Sequence, residues 1–589
     1  MLRTSLLLIA LVLRATDASS PLALNWSSQA YGPDGPWQAV EIAVGSNQQR
    51  VALYPGATSY TSTILTSTLC TNTSLSSTCY AAQAGTYNSS ESTTAFVEPS
   101  AGWETLYWAV EGGGVEAVVG DQVTISRVVP NVSFEAIYQT YMTYPNGKSY
   151  PVSVGTLALG APYRSDTIDN ATLNMLASYL YTSGGEDGIP SYSYSMHVGS
   201  ASPAVPGSLI LGGYDKSRAL GDITSQSVSL ESATSGEMQI TMKDITLGVA
   251  EGDSPFSFTS KSSLFLQSSG NVVQKTVTID PTKPYLYLPQ ETCEAITSYL
   301  PVTFNSSLGL YFWDTTASDY TNITTSPTYL GFTFTQDNVS NQNITIKIPL
   351  SLLALTLEAP LVDTNTTYFP CFYSDESPVL GRAFLQAAFV ATNYHDGNGT
   401  GTWFMAQAPG PDYAAEDITD ISEQDTSLST SSSVTWEESW SKTWHVLGST
   451  TSGSSNSTTG NSTTPATEKK ESGLSSGAKV GVGVGVGIGG AAVIAAGVWL
   501  AFFMRKRKQG ILLGSRHDSP TQDRKNPIRG VVEMPGGEAA TELESKGKIM
   551  GGPYQGGHPE YAGSHAQVQA MPHEMMGSEV HEPPRYELD

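Results

Sequence analysis

The stretch EIAVGSNQQRVALYPG, Glu41–Gly56, is where the fold is first read. Val40, Ile42 and Val44 alternate with polar or small neighbours, and Gly45 ends the run. A period of two marks a strand, and the Ser-Asn-Gln-Gln segment after it a turn. A second strand, Val51 to Leu53, then delivers the chain into Tyr54-Pro55-Gly56-Ala57-Thr58. That loop holds no acid or base that titrates near neutral pH, because a tyrosine phenol titrates near about 10.

Outward from this point the pattern repeats. VVGDQVTI, YSYSMHVG, GSLILGGY, MQITMKDITLG, YLGFTFT and NITIKIPL are short runs rich in Val, Ile, Thr, Tyr and Phe, separated by Gly, Asn, Ser and Pro. Helical patterns are few, with ATLNMLASYLYT and QETCEAITSYL the best. The expectation is an all-β domain over residues 30–408 with a few short helices.

The chain has 589 residues, only 14% of them charged, and a net charge of -25. There is no basic stripe outside one short cluster, so nucleic-acid binding is excluded as a reading. The N-terminus, MLRTSLLLIALVL, is one Arg followed by a short apolar run and then small residues, which reads as a secretory signal over 1–18. Residues 480–504 are uncharged and apolar, and Arg505-Lys506-Arg507-Lys508 follows at once. This predicts a single transmembrane helix with 505–589 in the cytosol: a single-pass type I protein at the cell surface or in a secretory-pathway membrane. Gly481, Gly485 and Gly489 share one helix face and suit homodimerisation through the membrane.

The sequons agree with that orientation. Asn25, Asn72, Asn88, Asn131, Asn170, Asn305, Asn322, Asn338, Asn343, Asn365, Asn398, Asn456 and Asn461 all precede the apolar segment. So do the four cysteines, Cys70, Cys79, Cys293 and Cys371. An even count in an oxidising compartment predicts two disulfides. Three pairings exist, and Cys70–Cys79 with Cys293–Cys371 keeps each bridge within one half of the domain. Residues 409–479 are Ser/Thr-rich and read as a glycosylated stalk, interrupted by Trp436, Trp440 and Trp444, which are expected to pack back on the domain. The tail, 505–589, lacks periodicity and reads as disordered. It ends in Pro583-Pro584-Arg585-Tyr586, a PPxY pattern suited to the WW domain of a ubiquitin ligase, with Lys546 and Lys548 nearby.

The order of motifs resembles the pepsin-type aspartic peptidases. EIAVGSNQQRVAL is similar to that family's approach to its first catalytic loop, and GTLALG (Gly155 to Gly160) to the element threading that loop. GSLILGGYDKSRALGD (Gly207 to Asp222) matches the interlobe signature and is the most specific stretch. TVTIDPTKPYLYLPQETC (Thr276 to Cys293) matches the second loop with its helix. PVLGRAFLQAAFVATNYHDG (Pro378 to Gly397) matches the second threading element. The resemblance implies a bilobal β fold with pseudo-twofold symmetry, lobes of about 30–200 and 201–408, and a cleft between them. The whole layout is similar to membrane-anchored peptidase-like proteins of filamentous fungi.

Chemistry in that family needs two Asp-Thr/Ser-Gly loops, whose carboxylates share a proton and activate a water. Here Tyr54 stands at the first acid position, with Pro55 and Gly56 after it. Asp280 survives in the second, followed by Pro281, Thr282 and Lys283. The resemblance places the family's flap tyrosine near Val110 or Glu111 in AVEGGGVEAVVGDQV, with Tyr107 and Trp108 out of register. Asp121 and Asp314 are the other acids weighed as replacements, Asp314 reading as a surface turn residue. His197 and His395 are isolated, and no metal or cofactor motif is present. The expectation is a catalytically retired domain that binds an extracellular peptide or glycan. Tyr54, Tyr285 and Tyr287 either line the cleft rim and stack on ligand or pack into the emptied cleft. The alternatives are an acid peptidase using Asp280 alone and a structural wall or adhesion protein.

Overall fold

The fold is described from a computed structural model. It covers residues 19–448 apart from short stretches within them: 58–61, 72, 74–75, 98–100, 108–109, 161–164, 169–170, 230–235, 338–341, 375, 396–399 and 431–433. The signal segment, the later stalk, the apolar segment 480–504 and the tail with Pro583, Pro584 and Tyr586 lie outside the described residues, as do Asn72, Asn170, Asn338, Asn398, Asn456 and Asn461. Among the described residues no helix is long and apolar enough to cross a membrane.

The alternating run at Trp37–Val44 is a strand that pairs antiparallel with Gln49–Gly56, Val40 opposite Leu53. Gly155–Ala158 runs parallel to Gln49–Gly56, with Thr156 opposite Tyr54 and Leu157 opposite Pro55. It also bridges antiparallel to Ser62–Leu65, which itself runs parallel to Val128–Thr143. The second half repeats each step. Met238–Val249 pairs antiparallel with Lys275–Ile279, which runs parallel to Val379–Leu380. Leu286–Leu288 pairs antiparallel with Val379–Leu380 and parallel with Cys371–Tyr373. Both threading elements are covered on two faces, which is why they read as unbroken apolar runs; Leu157, Leu159, Val379 and Leu380 are all buried. Gly381 closes the second. A Cβ there would lie 2.3 Å from the Lys283 carbonyl oxygen and 2.6 Å from that of Tyr285, so no larger residue fits.

The halves meet in a six-stranded sheet, in the order Leu22–Ala23, Ser208–Leu211, Ser193–His197, Ala388–Asn393, Thr400–Gln407, Leu220–Ser229. At its centre Ser193–His197 from one half pairs antiparallel with Ala388–Asn393 from the other. The interlobe signature works structurally here. Buried Asp215 accepts from Ser217 N and Asp417 N, each at 2.9 Å, and faces Arg218 Nε at 3.4 Å.

The disulfides are Cys70–Cys79 and Cys293–Cys371, as expected. The second ties the helix Gln290–Thr297, one of the two predicted, to Cys371–Tyr373. The other predicted helix is shorter than its pattern. Ala171–Asn174 is a strand paired with Ser165–Ile168, and the helix is Leu176–Ser183.

The folded region runs past residue 408, a correction to the stalk read from composition. Ile418–Asp420 pairs with Gly213–Asp215. Thr435 and Glu438 form a capping box that starts the helix Trp436–Trp440. Trp436, Trp440 and Trp444 are buried, with Trp440 and Trp444 stacked at 6.1 Å and Trp436 edge-on to Tyr329 at 5.8 Å. Lys347 pairs with Glu437 at 2.8 Å over the Trp436 ring. Three large indoles bury enough apolar surface to outweigh a Ser/Thr-rich context.

Candidate active site

Tyr54 occupies the end of its strand in the register expected of the first catalytic residue, but its surroundings are those of a core residue. It is 7% exposed, and its hydroxyl finds no hydrogen-bond partner among the described residues. Gly32, at φ +93°, passes directly over that hydroxyl; a Cβ at Gly32 would lie 2.6 Å from it. Burial pushes the Tyr54 phenol well above its ordinary value. It is a neutral phenol at any physiological pH and cannot serve as a base.

The second loop keeps its acid. Asp280 is buried, and its Oδ1 accepts from Thr282 N at 2.9 Å and from Thr282 Oγ1 at 2.7 Å. The loop turns tightly, Lys283 N donating to Asp280 O at 3.2 Å. Lys283 is partly buried, and its ammonium is held down to about 8, first by burial and also by the Arg382 charge, while Asp280 opposes both.

Arg382 is the residue that sequence reasoning missed. It follows Gly381 directly and is buried. Its Nη1 donates to Pro281 O at 3.0 Å and to Thr282 O at 2.9 Å. Its guanidinium carbon sits 4.1 Å from the centre of the Tyr54 ring and 5.2 Å from that of Trp37. The guanidinium therefore joins the two loops. A buried charge needs compensation, which here comes from two carbonyls, two aromatic faces and the nearby Asp34 carboxylate. Asp34 Oδ1 accepts from Trp37 Nε1 at 3.0 Å, and burial raises its pKa above the ordinary carboxylate value against the pull of Arg382. The available signal was an arginine placed straight after a threading glycine.

Tyr285 and Tyr287 are not rim residues. Both are buried, Tyr285 stacked on Phe372 at 5.6 Å and bonded through its hydroxyl to Tyr144 at 2.9 Å. Of the two readings open for them, the structure has them packed inside; burial raises both phenols. The hairpin near Glu111 is placed by backbone alone. Its arms are Ala101–Tyr107 and Val110–Thr124, so Tyr107 lies at the tip opposite Val110, and Glu111 opposite Leu106 and Thr143.

Neither alternative acid faces the loops. Asp121 is fully buried and accepts from Tyr87 Oη at 2.6 Å, Thr94 Oγ1 at 2.6 Å, Ser92 Oγ at 3.1 Å and Gln122 N at 2.8 Å. Asp314 is an exposed turn residue, accepting from Thr316 N at 3.0 Å and Thr316 Oγ1 at 2.6 Å. His395 lies at φ +54° in a turn against Thr402. His197 is buried in the central sheet against the Gln386 carbonyl. Among the described residues, no group of three His, Cys, Asp or Glu is placed to hold a metal ion.

Two lobes, each built around a loop threaded by a parallel strand and joined through one sheet, define an acid-protease architecture. The sequence model of the eukaryotic aspartyl protease family matches residues 39–400, and the chain belongs to that family. No curated protein matches it.

Proposed function

We propose that this chain is a type I membrane glycoprotein whose pepsin-type ectodomain binds or senses a surface ligand and does not cleave it. The observation that carries the reading is the guanidinium of Arg382 between the loops, over Tyr54 and on the carbonyls of Pro281 and Thr282. The family reaction needs a second carboxylate there to share a proton with Asp280. A fixed cation and an unionised phenol supply neither a base nor a proton relay.

The tether rests on the sequence: a leader, sequons on one side, and an uncharged 480–504 followed by four basic residues. Among the described sequon asparagines none is buried; Asn25, Asn131, Asn322, Asn343 and Asn365 are exposed. The PPRY end of the tail is the proposed docking point for a WW-domain ubiquitin ligase, and equal surface abundance of wild type and Tyr586→Ala would count against it.

Full-length protein incubated with an unfolded protein substrate at about pH 3 to 6 tests the central reading, since that is where a carboxylate dyad works. No cleavage above the Asp280→Asn background is expected. Cleavage that Asp280→Asn abolishes overturns the reading in favour of a peptidase working through Asp280.

One observation favours a second reading, a structural or adhesive surface protein. The halves are tied to each other across the cleft by Tyr144–Tyr285, by Asn146 N to Ser307 O at 3.1 Å, and by Thr356 N to Gly35 O at 2.9 Å. Deleting 449–479 impairs a structural role and leaves soluble ligand binding intact.

A further inference from the structure

The loop Gly32–Pro36 belongs to the first half but is bonded to the second. Thr356 N donates to Gly35 O at 2.9 Å and Glu358 N donates to Pro33 O at 2.8 Å. The donors are two residues apart, the acceptors are two residues apart, and the order is reversed. These are the outward donors of a sheet edge, taken one way by the carbonyls of a turn: Pro33 has no N–H to return, and residues 33 and 34 are a turn rather than a strand. The edge is Leu355–Leu357, the last strand of a four-stranded sheet, whose other side pairs with Thr366–Phe369. The residue between the two acceptors, Asp34, is held by its backbone and its side chain. Its carbonyl accepts from Tyr368 Oη, and its carboxylate takes the Trp37 indole N–H beside Arg382. The start of the same loop covers the Tyr54 hydroxyl at Gly32.

We propose that Gly32–Pro36 is a built-in strap. Its carbonyls take the Thr356 and Glu358 edge donors that an extended peptide would otherwise take, and it closes that end of the cleft. Asp34, bonded to the Trp37 indole whose ring lies against Arg382, is the latch that seats it. Strand addition is the means by which an extended peptide gains affinity at a sheet edge, and here the chain supplies the acceptors itself. An external peptide reaches this edge only after the strap leaves. The inference rests on the cleft being that of a pepsin-type fold, but its test reads the loop directly and involves neither cleavage nor a ligand.

Hydrogen exchange on the full-length chain measures the amides of Thr356 and Glu358 against those of Leu355 and Leu357. By strand alternation the latter face Tyr368 and Thr366 and serve as an internal reference. In the wild type all four are protected. In Asp34→Ala the exchange of Thr356 and Glu358 rises about tenfold or more while Leu355 and Leu357 hold. Should Asp34→Ala fail to fold, judged by loss of protection in Ala388–Asn393, Gly32→Ala takes its place. That change drives a methyl onto the Tyr54 hydroxyl and lifts the strap without removing a charge, and the same selective rise is expected. Rapid exchange of Thr356 and Glu358 in the wild type, or no change in the folded variant, overturns the proposal.

Discussion

The two loops at the centre of this molecule share a backbone and differ in almost everything else. Each ends a strand, each is threaded by a parallel apolar element, and each is followed by a strand that pairs with that element. The first holds a buried phenol whose hydroxyl has no hydrogen-bond partner among the described residues, under a glycine. The second holds a carboxylate fastened by the backbone N–H and hydroxyl of Thr282. The threading, not the acid, specifies the loop. The backbone bonds and apolar strands do not depend on an acid at this position, so the lobe stands with Tyr54 there.

Arg382 is where the two loops depend on each other, so Arg382→Ala is expected to have the largest effect. It strands the Pro281 and Thr282 carbonyls, uncovers the Tyr54 and Trp37 faces and leaves Asp34 without its nearby cation. A loss of roughly 3 kcal/mol is expected in chemical denaturation. A loss no larger than for an exposed arginine would mean that the guanidinium does not join the loops.

The sheet beneath both loops gives a reference that depends on pH. His197 is fully buried, and its imidazole is held down to about 3, chiefly by burial and then by the Arg218 charge, against the opposing Gln386 carbonyl and Asp215. The unfolded chain takes up that proton near pH 6.5 and the folded chain does not. Stability therefore falls as pH drops from about 6.5 towards 3, by at most about 1.4 kcal/mol per unit from this group. Thermal melts of His197→Gln across that range should show a shallower slope than wild type. An unchanged slope would locate the acid sensitivity in the loops instead.

Asp280→Asn probes the second loop alone. An asparagine Oδ1 still accepts from Thr282 N and Thr282 Oγ1, so only the charge is lost and about 1 kcal/mol is expected. A much larger cost would show that the Asp280 charge is needed to balance Lys283 and Arg382.

What the sequence made legible follows from range. Strands, threading elements and the interlobe signature are local patterns with a fixed period, and they were readable, as was the place of Tyr54 near the end of its strand. The burial of Tyr285 and Tyr287 was not decided, because a tyrosine after a loop suits a rim and an interior equally until Phe372 and Tyr144 are brought against it. Arg382 and Asp34 were missed for the same reason, lying hundreds of residues apart and meeting only in the fold. Residues 409–448 were misassigned because their bulk composition is that of a stalk, while three tryptophans decide where they go.

The smallest effect is also the sharpest test of what the first loop has become. Tyr54→Phe removes one oxygen from a buried site where it has no partner among the described residues. A hydroxyl that contributed to catalysis or to a proton network would be missed. One that is merely enclosed costs desolvation and returns nothing. The ring that Arg382 rests on is kept, so the contact at 4.1 Å survives. Denaturation midpoints are expected to agree within about 0.5 kcal/mol, with any difference favouring the phenylalanine. Loss of more than that would mean the hydroxyl does hold a partner, and the first loop would then be a polar site still in use.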